Sequence, residues 1–439
     1  MSQIATLPRV LAVAPRAAEA ASSPLAFRAL LAFTAVLVLA PQNVFPVLEP
    51  LHLAQLTAGV AILAHVVAAL AHRRPILLLT RETWVAAALA GWAVLSLPAS
   101  YWPSGSAAFL LDVFFKSLVV FWLLAANVNT PRRLAQAGWL LCLLGVPIAI
   151  SGVRHFGAGM FLGGEGAAGV KRILGYDAPL TGNPNDLALM LNLILPIGVA
   201  LFLAERRRLV RLGLAAVIAL QVTGVIVTFS RGGFLTLATI GAIYLGRALR
   251  GPARVWATAF VVFLLLASSQ ILPEGYVGQM STIVDIGSDP TGSASERLAD
   301  MLDATSFVVQ NPILGVGAGM NVLALNEERG ALWRMVHSAY LQYAVELGIP
   351  GLLLFVLLLI RCIRSAARSR RQATQDGAPP AVRRLAEGIE ISLLAFAIAA
   401  LFHPIGYHFY FYYFAGLAVA LPSVCTAAVP LPRLAGGGR

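Results

Sequence analysis

His337 and Ser338, followed after nine residues by Gly348-Ile349-Pro350-Gly351, form the segment of this chain best suited to chemistry. The stretch reads HSAYLQYAVELGIPG. It follows the longest polar segment of a very apolar sequence, where another apolar run begins, so the histidine sits at the water-facing mouth of a membrane domain. An imidazole, with an ordinary pKa of about 6.5, can accept a proton there at neutral pH. Tyr340, Gln342 and Tyr343 add polar groups to the same segment. The other candidate histidines are less favourably placed. His155 stands in a Gly-rich loop, and His403 and His408 flank a turn in an aromatic run, where they either line the same cavity or belong to an interfacial belt that explains their neighbours.

Basic residues are the second chemical element. Thr228-Phe229-Ser230-Arg231-Gly232-Gly233-Phe234-Leu235 joins two apolar runs through a short turn. A guanidinium held there suits a phosphate, whose oxygens it meets with a planar pair of charge-assisted hydrogen bonds. It would equally anchor a span at headgroup level. Arg297, among Glu296, Asp300 and Asp303, reads either as an anion contact or as part of a solvated helix with i,i+3 and i,i+4 ion pairs. Arg154, Lys171 and Arg172 lie in another outside loop and leave the same two readings open. Asp186, in Gly-Asn-Pro-Asn-Asp at the start of a span, is placed for the helix dipole and is a candidate second base. Gly317-Ala318-Gly319 lacks the strand, lysine and helix of a nucleotide-binding loop.

The elements that carry these residues follow from composition. Of 439 residues, 59% are hydrophobic and 12% charged, with mean hydropathy +0.80. A soluble domain could not cover its surface with so few polar groups. The expected fold is an all-α polytopic membrane protein with about twelve transmembrane helices and a large helical outside loop. The spans are expected near 26–45, 51–71, 83–99, 107–128, 134–153, 186–204, 209–228, 233–248, 254–272, 349–366, 388–405 and 408–428. The corresponding organisation is a cytoplasmic tail over 1–25, spans one to nine over 26–272, a large outer loop and re-entry helix over 273–348, spans ten to twelve over 349–430, and a second tail over 431–439. Cys142, Cys362 and Cys425 fall in or beside apolar runs, which argues against disulfides and a zinc site.

Orientation comes from Lys and Arg. With the N-terminus inside, most of the 32 basic residues fall on the cytoplasmic side. The net charge of +12 is thus mainly a topology signal, which removes a nucleic-acid partner. The exceptions on the outer side are Arg154, Lys171, Arg172, Arg231, Arg297, Arg329 and Arg334, and bases kept on the disfavoured side invite a function. Lys116 lies inside a span, four residues after Asp112, with which it can pair.

Arg231-Gly-Gly-Phe-Leu235 and His337-Ser338-x9-Gly348-Ile-Pro-Gly351 resemble the Arg-x-x-x-Leu and His-[Asn/Ser/Gln]-x9-Gly-x-x-[Gly/Thr/Tyr] elements of the O-antigen ligase family of Gram-negative inner membranes. The long outer loop resembles the wider superfamily, which includes O-antigen polymerases and O-linked protein oligosaccharyltransferases. The resemblance implies a fold of the lipid-linked sugar transferase (GT-C-like) type. It implies transfer of a polysaccharide from undecaprenyl diphosphate to a lipid A-core sugar hydroxyl in the periplasm, with inversion and with no cofactor. His337 would be the base, and Arg231, Arg297, Lys171, Arg172 and Arg154 would bind the donor diphosphate. Ser338, Tyr340, Gly348, Gly351 and Asp186 would support them. The outer residues show no metal-ligand spacing, so arginines are expected where a cation would otherwise stand. A transporter without chemistry is the rival class, which would place its polar groups near the bilayer midplane.

Overall fold

The computed structural model describes residues 23–162, 172–251, 272, 273, 275–283, 285, 293–329 and 333–429. Several helices begin where the sequence supplies a cap. Ser23, Thr130, Asn183 and Ser230 each accept a backbone N–H of the first turn, the first three with proline at the next position. The helices used below are α1 (Pro24–Leu39), α2 (Leu53–Ala71), α3 (Arg81–Leu95), α4 (Pro103–Asn127), α5 (Pro131–Gly157), α6 (Pro184–Ala204), α7 (Arg208–Ile226) and α8 (Arg231–Leu249). They continue with α9 (Ser293–Gln310), α10 (Asn321–Arg329), α11 (Ala339–Gln375), α12 (Pro380–Ala399) and α13 (Phe409–Ala428).

Among the described residues, nine helices are long and apolar enough to cross a membrane. The difference from about twelve has three sources. α1 is short, because Ala40 adopts φ 43° and Pro41 cannot continue the helix. α12 runs earlier than the expected 388–405 and carries charges in its first half. The expected span 254–272 lies mostly outside the described residues.

α6 is apolar around nearly its whole circumference, as a helix central to a bundle must be. It packs against α5, α7, α8 and α12. A second group joins α11, α12 and α13, with α13 also lying along α4. Side chains tie these helices where lipid could not satisfy them. Asn192 donates to Gly233 O (2.9 Å) and Ser392 to Leu193 O (2.7 Å). Lys116 and Asp112 do pair, at 2.9 Å.

The two ends of the bundle differ. At one end, Arg247 meets Glu387 (2.6 Å) and Glu390 (3.4 Å), Arg370 meets Glu390 (2.6 Å), and Arg384 meets Glu387 (2.9 Å). This network neutralises the charges that α12 brings into the bundle. At the other end, the N-termini of α6, α8, α11 and α13 gather with the turn 400–408.

α11 breaks at Gly348, which has φ +68°. There the chain before α10 docks onto it. Ile349 N–H donates to Pro312 O (2.8 Å), Val316 N–H to Val345 O (3.0 Å) and Gly317 N–H to Glu346 O (2.9 Å). A Cβ at Gly348 would stand 2.1 Å from Ile313 O. Left-handed backbone and clash therefore both oppose any other residue. Gly348→Ala is expected to cost about 2 kcal/mol or more and to lower the unfolding midpoint in detergent. Gly213→Ala, whose Cβ meets nothing within 4 Å, should leave that midpoint unchanged or raise it.

Candidate functional site

The end where the helix N-termini gather holds a cavity of about 270 Å³. Its lining comes from four parts of the chain: Asn183, Asn185 and Asp186 at the start of α6, Arg297 on α9, Met335 and His337 before α11, and His403 and His408 in and after the turn that leaves α12. Three of the residues expected from sequence, His337, Arg297 and Asp186, thus share one space.

His337 owes its position to what surrounds it. Ser338 stands at the N-cap position of α11 and its hydroxyl donates to Ala400 O (3.3 Å), Ala339 N–H donates to the same oxygen (2.8 Å), and Tyr340 donates to Ala397 O (2.9 Å). The start of α11 is thereby clamped to the end of α12. From the other side, Val336 N–H donates to Asn321 Oδ1 (3.1 Å). Asn321 in turn donates its amide to Glu346, which also accepts Gly319 N–H (2.8 Å). Glu346 is fully buried. Ser338 and Tyr340 are therefore positioning groups that face α12.

His337 remains 28% exposed at its side chain, whereas His403 is 6% exposed. Burial, and then the charge of Arg297, hold His403 down to a pKa of about 4. Burial also lowers His408. His403 is therefore neutral at pH 7, and His337 is the more accessible of the two.

Asp300 is 1% exposed at its side chain and faces away from water. Its Oδ2 lies 3.8 Å from His337 Nδ1, and its Oδ1 lies 3.6 Å from Arg334, which also meets Glu296 at 2.9 Å. Sequence reasoning placed Asp300 among solvated helix charges. The available signal was its spacing of three from Arg297, which sets both on one helix face.

Arg231 lies beside this cavity and does not line it. It opens α8 behind the Ser230 cap, and its guanidinium donates to Thr282 Oγ1 (3.0 Å). Ser230 donates to Asn185 Oδ1 (2.8 Å), and a Cβ at Gly232 would stand 3.2 Å from His403 Cε1. The two positions are thus one layer of side chains apart. The turn before Arg231 puts Phe229 at φ 53°, an uncommon conformation held by rings of Phe156 and Tyr276. Arg172 is near enough to Arg231 that burial and then that charge lower its pKa. Arg154 is exposed on the last turn of α5 and does not line the cavity. Lys171 lies outside the described residues.

The low His403 pKa has a stability consequence. In the unfolded chain a histidine charges near pH 6.5, but His403 charges only near 4. The unfolded state binds the extra proton in that window, so stability falls as pH drops from about 6.5 to about 4. The contribution is on the order of 3 kcal/mol. His403→Asn should flatten the fall in unfolding midpoint between pH 7 and pH 5, measured in detergent.

Residues 214–356 match the family model described as O-Antigen ligase, a family that includes ligases and polymerases. The match spans both Arg231-x-x-x-Leu235 and the His337 element. Among solved structures, one described as "Structural coordination of polymerization and crosslinking by a peptidoglycan synthase complex" is 17% identical, with a TM-score of 0.40, covering 77% of this chain and 95% of that one. No curated protein matches the chain.

Proposed function

We propose, from the match of residues 214–356 to the family model described as O-Antigen ligase, that the chain is itself a ligase. It transfers a finished polysaccharide from undecaprenyl diphosphate to a sugar hydroxyl of lipid A-core. The cavity end faces the periplasm of a Gram-negative inner membrane, both chain termini face the cytoplasm, and the scaffold is of the GT-C-like lipid-linked sugar transferase type. One observation carries the reading: His337 and Arg297, far apart in sequence, line the same cavity at the end of the bundle where the helix N-termini meet.

The chemistry needs a base and a seat for negative charge. The acceptor hydroxyl attacks the anomeric carbon, and the bond from that carbon to the donor phosphate oxygen breaks. His337 takes the hydroxyl proton, and the bond's electron pair leaves on the diphosphate. The Arg297 guanidinium meets the charge that develops there, in a site partly shielded from water. Arg231 and Arg172, on the flank of the cavity, hold the remaining phosphate charge, with Lys171 and Arg154 assigned to the same donor side. His403, kept neutral by burial and by Arg297, leaves the cationic role to the arginines. A single displacement of this kind inverts the anomeric centre. Arginines stand where other transferases use a divalent cation, so transfer should proceed unchanged in excess chelator. Loss of activity in chelator with recovery on adding a divalent ion would remove that part of the reading.

Expression of the chain in cells lacking only their ligase, and in cells lacking only their O-antigen polymerase, separates the family's two activities. A lipopolysaccharide ladder restored in the first strain alone is the expected result. Restoration in the second alone makes the chain a polymerase. Transfer to a protein acceptor makes it an O-linked oligosaccharyltransferase, and good expression with no transfer to any acceptor favours transport. His337→Ala should lower transfer by at least about 100-fold with expression and folding retained. Transfer by that variant at the wild-type rate removes His337 as the base.

A further inference from the structure

Asp300 is a buried carboxylate that sequence reasoning assigned to a solvated helix face. The structure instead points it at the edge of His337 that water does not reach. His337 Nδ1 and both carboxylate oxygens of Asp300 are shielded from solvent, although the His337 side chain as a whole is 28% exposed. The exposure therefore belongs to the opposite edge of the ring, which carries Nε2. That edge is the one available to the cavity, and the Nδ1 edge faces Asp300 at 3.8 Å.

We propose that Asp300 is the positioning residue of His337, holding the tautomer with the proton on Nδ1 and stabilising the imidazolium that forms during transfer. The inference rests on His337 being the base in the reaction proposed above. The acceptor O–H proton passes to Nε2 as the new C–O bond forms and the donor's C–O bond to phosphate breaks. Nδ1 keeps its proton toward Asp300, which remains a carboxylate throughout. At 3.8 Å the two groups are within ion-pair range, and the contact shortens when the imidazole becomes charged.

Other charges around His337 set the sign of the effect. Arg297 on α9 and Arg334 on the preceding loop oppose its protonation. His403, on the turn after α12, is neutral at pH 7, as is His408. Asp186 at the start of α6 lines the same cavity. Asp300 is the carboxylate in contact with the ring, and Arg334, bound to Asp300 and Glu296, fixes it in place. With two cations nearby, an imidazole without Asp300 would be a weaker base than free histidine.

The test reads the protonation of His337 itself, independent of turnover. Purified full-length protein in detergent is treated with diethyl pyrocarbonate across pH 5–8, and modification at His337 is followed by mass spectrometry. Asp300→Asn is expected to lower the midpoint by about one pH unit, and Asp300→Glu to restore it. In transfer assays Asp300→Asn should lower kcat at least tenfold with KM little changed. A His337 midpoint that Asp300→Asn does not lower overturns the proposal. Should that variant fail to fold, the same shift is read between Arg334→Gln and the double variant Asp300→Asn/Arg334→Gln, which buries no uncompensated guanidinium. An unmoved midpoint there is equally fatal. If wild-type protein transfers no polysaccharide while Asp300→Asn still lowers the midpoint, the proposed function falls and the Asp300–His337 pair stands.

Discussion

The site depends on one buried carboxylate. Glu346, inside α11, would be costly in an apolar bundle without donors placed to meet it. Gly319 N–H and the Asn321 amide supply them. To do so, the chain ahead of α10 must run against α11, which requires left-handed backbone at Gly315 and Gly348. A Cβ at Gly315 would stand 2.5 Å from Glu346 C. Asn321, once held by Glu346, fixes Val336, and Val336 adjoins His337. A group in the membrane helix thus sets the location of a side chain in the water-facing loop. The same knot delivers α9 to the cavity, because Ala304 and Phe307 of α9 share a small core with Val316, Met320, Ala324, Leu325 and Val345.

That geometry explains how three histidines that line one cavity with Arg297 come to have different surroundings. Burial separates the histidines first. His403, packed against Gly232, cannot gain enough from its neighbours to offset desolvation, and the Arg297 charge adds to the penalty. His337 keeps one edge toward solvent and one toward Asp300, so the same cations act on it through a compensating carboxylate. Helix N-termini from α6, α8, α11 and α13 add partial positive charge at this end, which favours an anionic substrate and further disfavours a buried imidazolium.

Much of this was legible in the sequence. The His337-Ser338-x9-Gly-x-x-Gly spacing is the length of one short helix from His337 to the break, and the glycines mark where the loop lands. Hydropathy located the spans because apolar runs are long and local. It misplaced α12 because Arg383, Arg384 and Glu387 read as a cytoplasmic loop, whereas ion pairs of Glu387 and Glu390 with Arg247 and Arg370 on two other helices, and of Glu387 with Arg384, let this stretch enter the bundle. Asp300 was missed for a related reason. A helix with Glu296, Arg297, Asp300 and Asp303 can satisfy its charges along its own surface, and nothing local reveals that Arg334 and His337 take Asp300 instead. Pairings between distant segments, on which charge burial depends, are invisible to local patterning.

The long segment between α8 and α11 follows from the same constraint. A membrane bundle can hold a histidine at its mouth, but it cannot easily bring both a cation to the same cavity and a carboxylate to the shielded edge of that ring. Helices crossing the bilayer arrive nearly parallel and present one turn each. α9 approaches as part of the loop, outside the set of spanning helices, and places Arg297 and Asp300, three residues apart, on one face. Arg297 reaches the cavity while Asp300 reaches the shielded edge of His337. Closing a loop of this length costs little more than closing a short one, and the buried contacts among α9, α10 and α11 offset the ordering. The loop is thus the part of the chain that supplies, from a single helix, both Arg297 at the cavity and Asp300 beside His337.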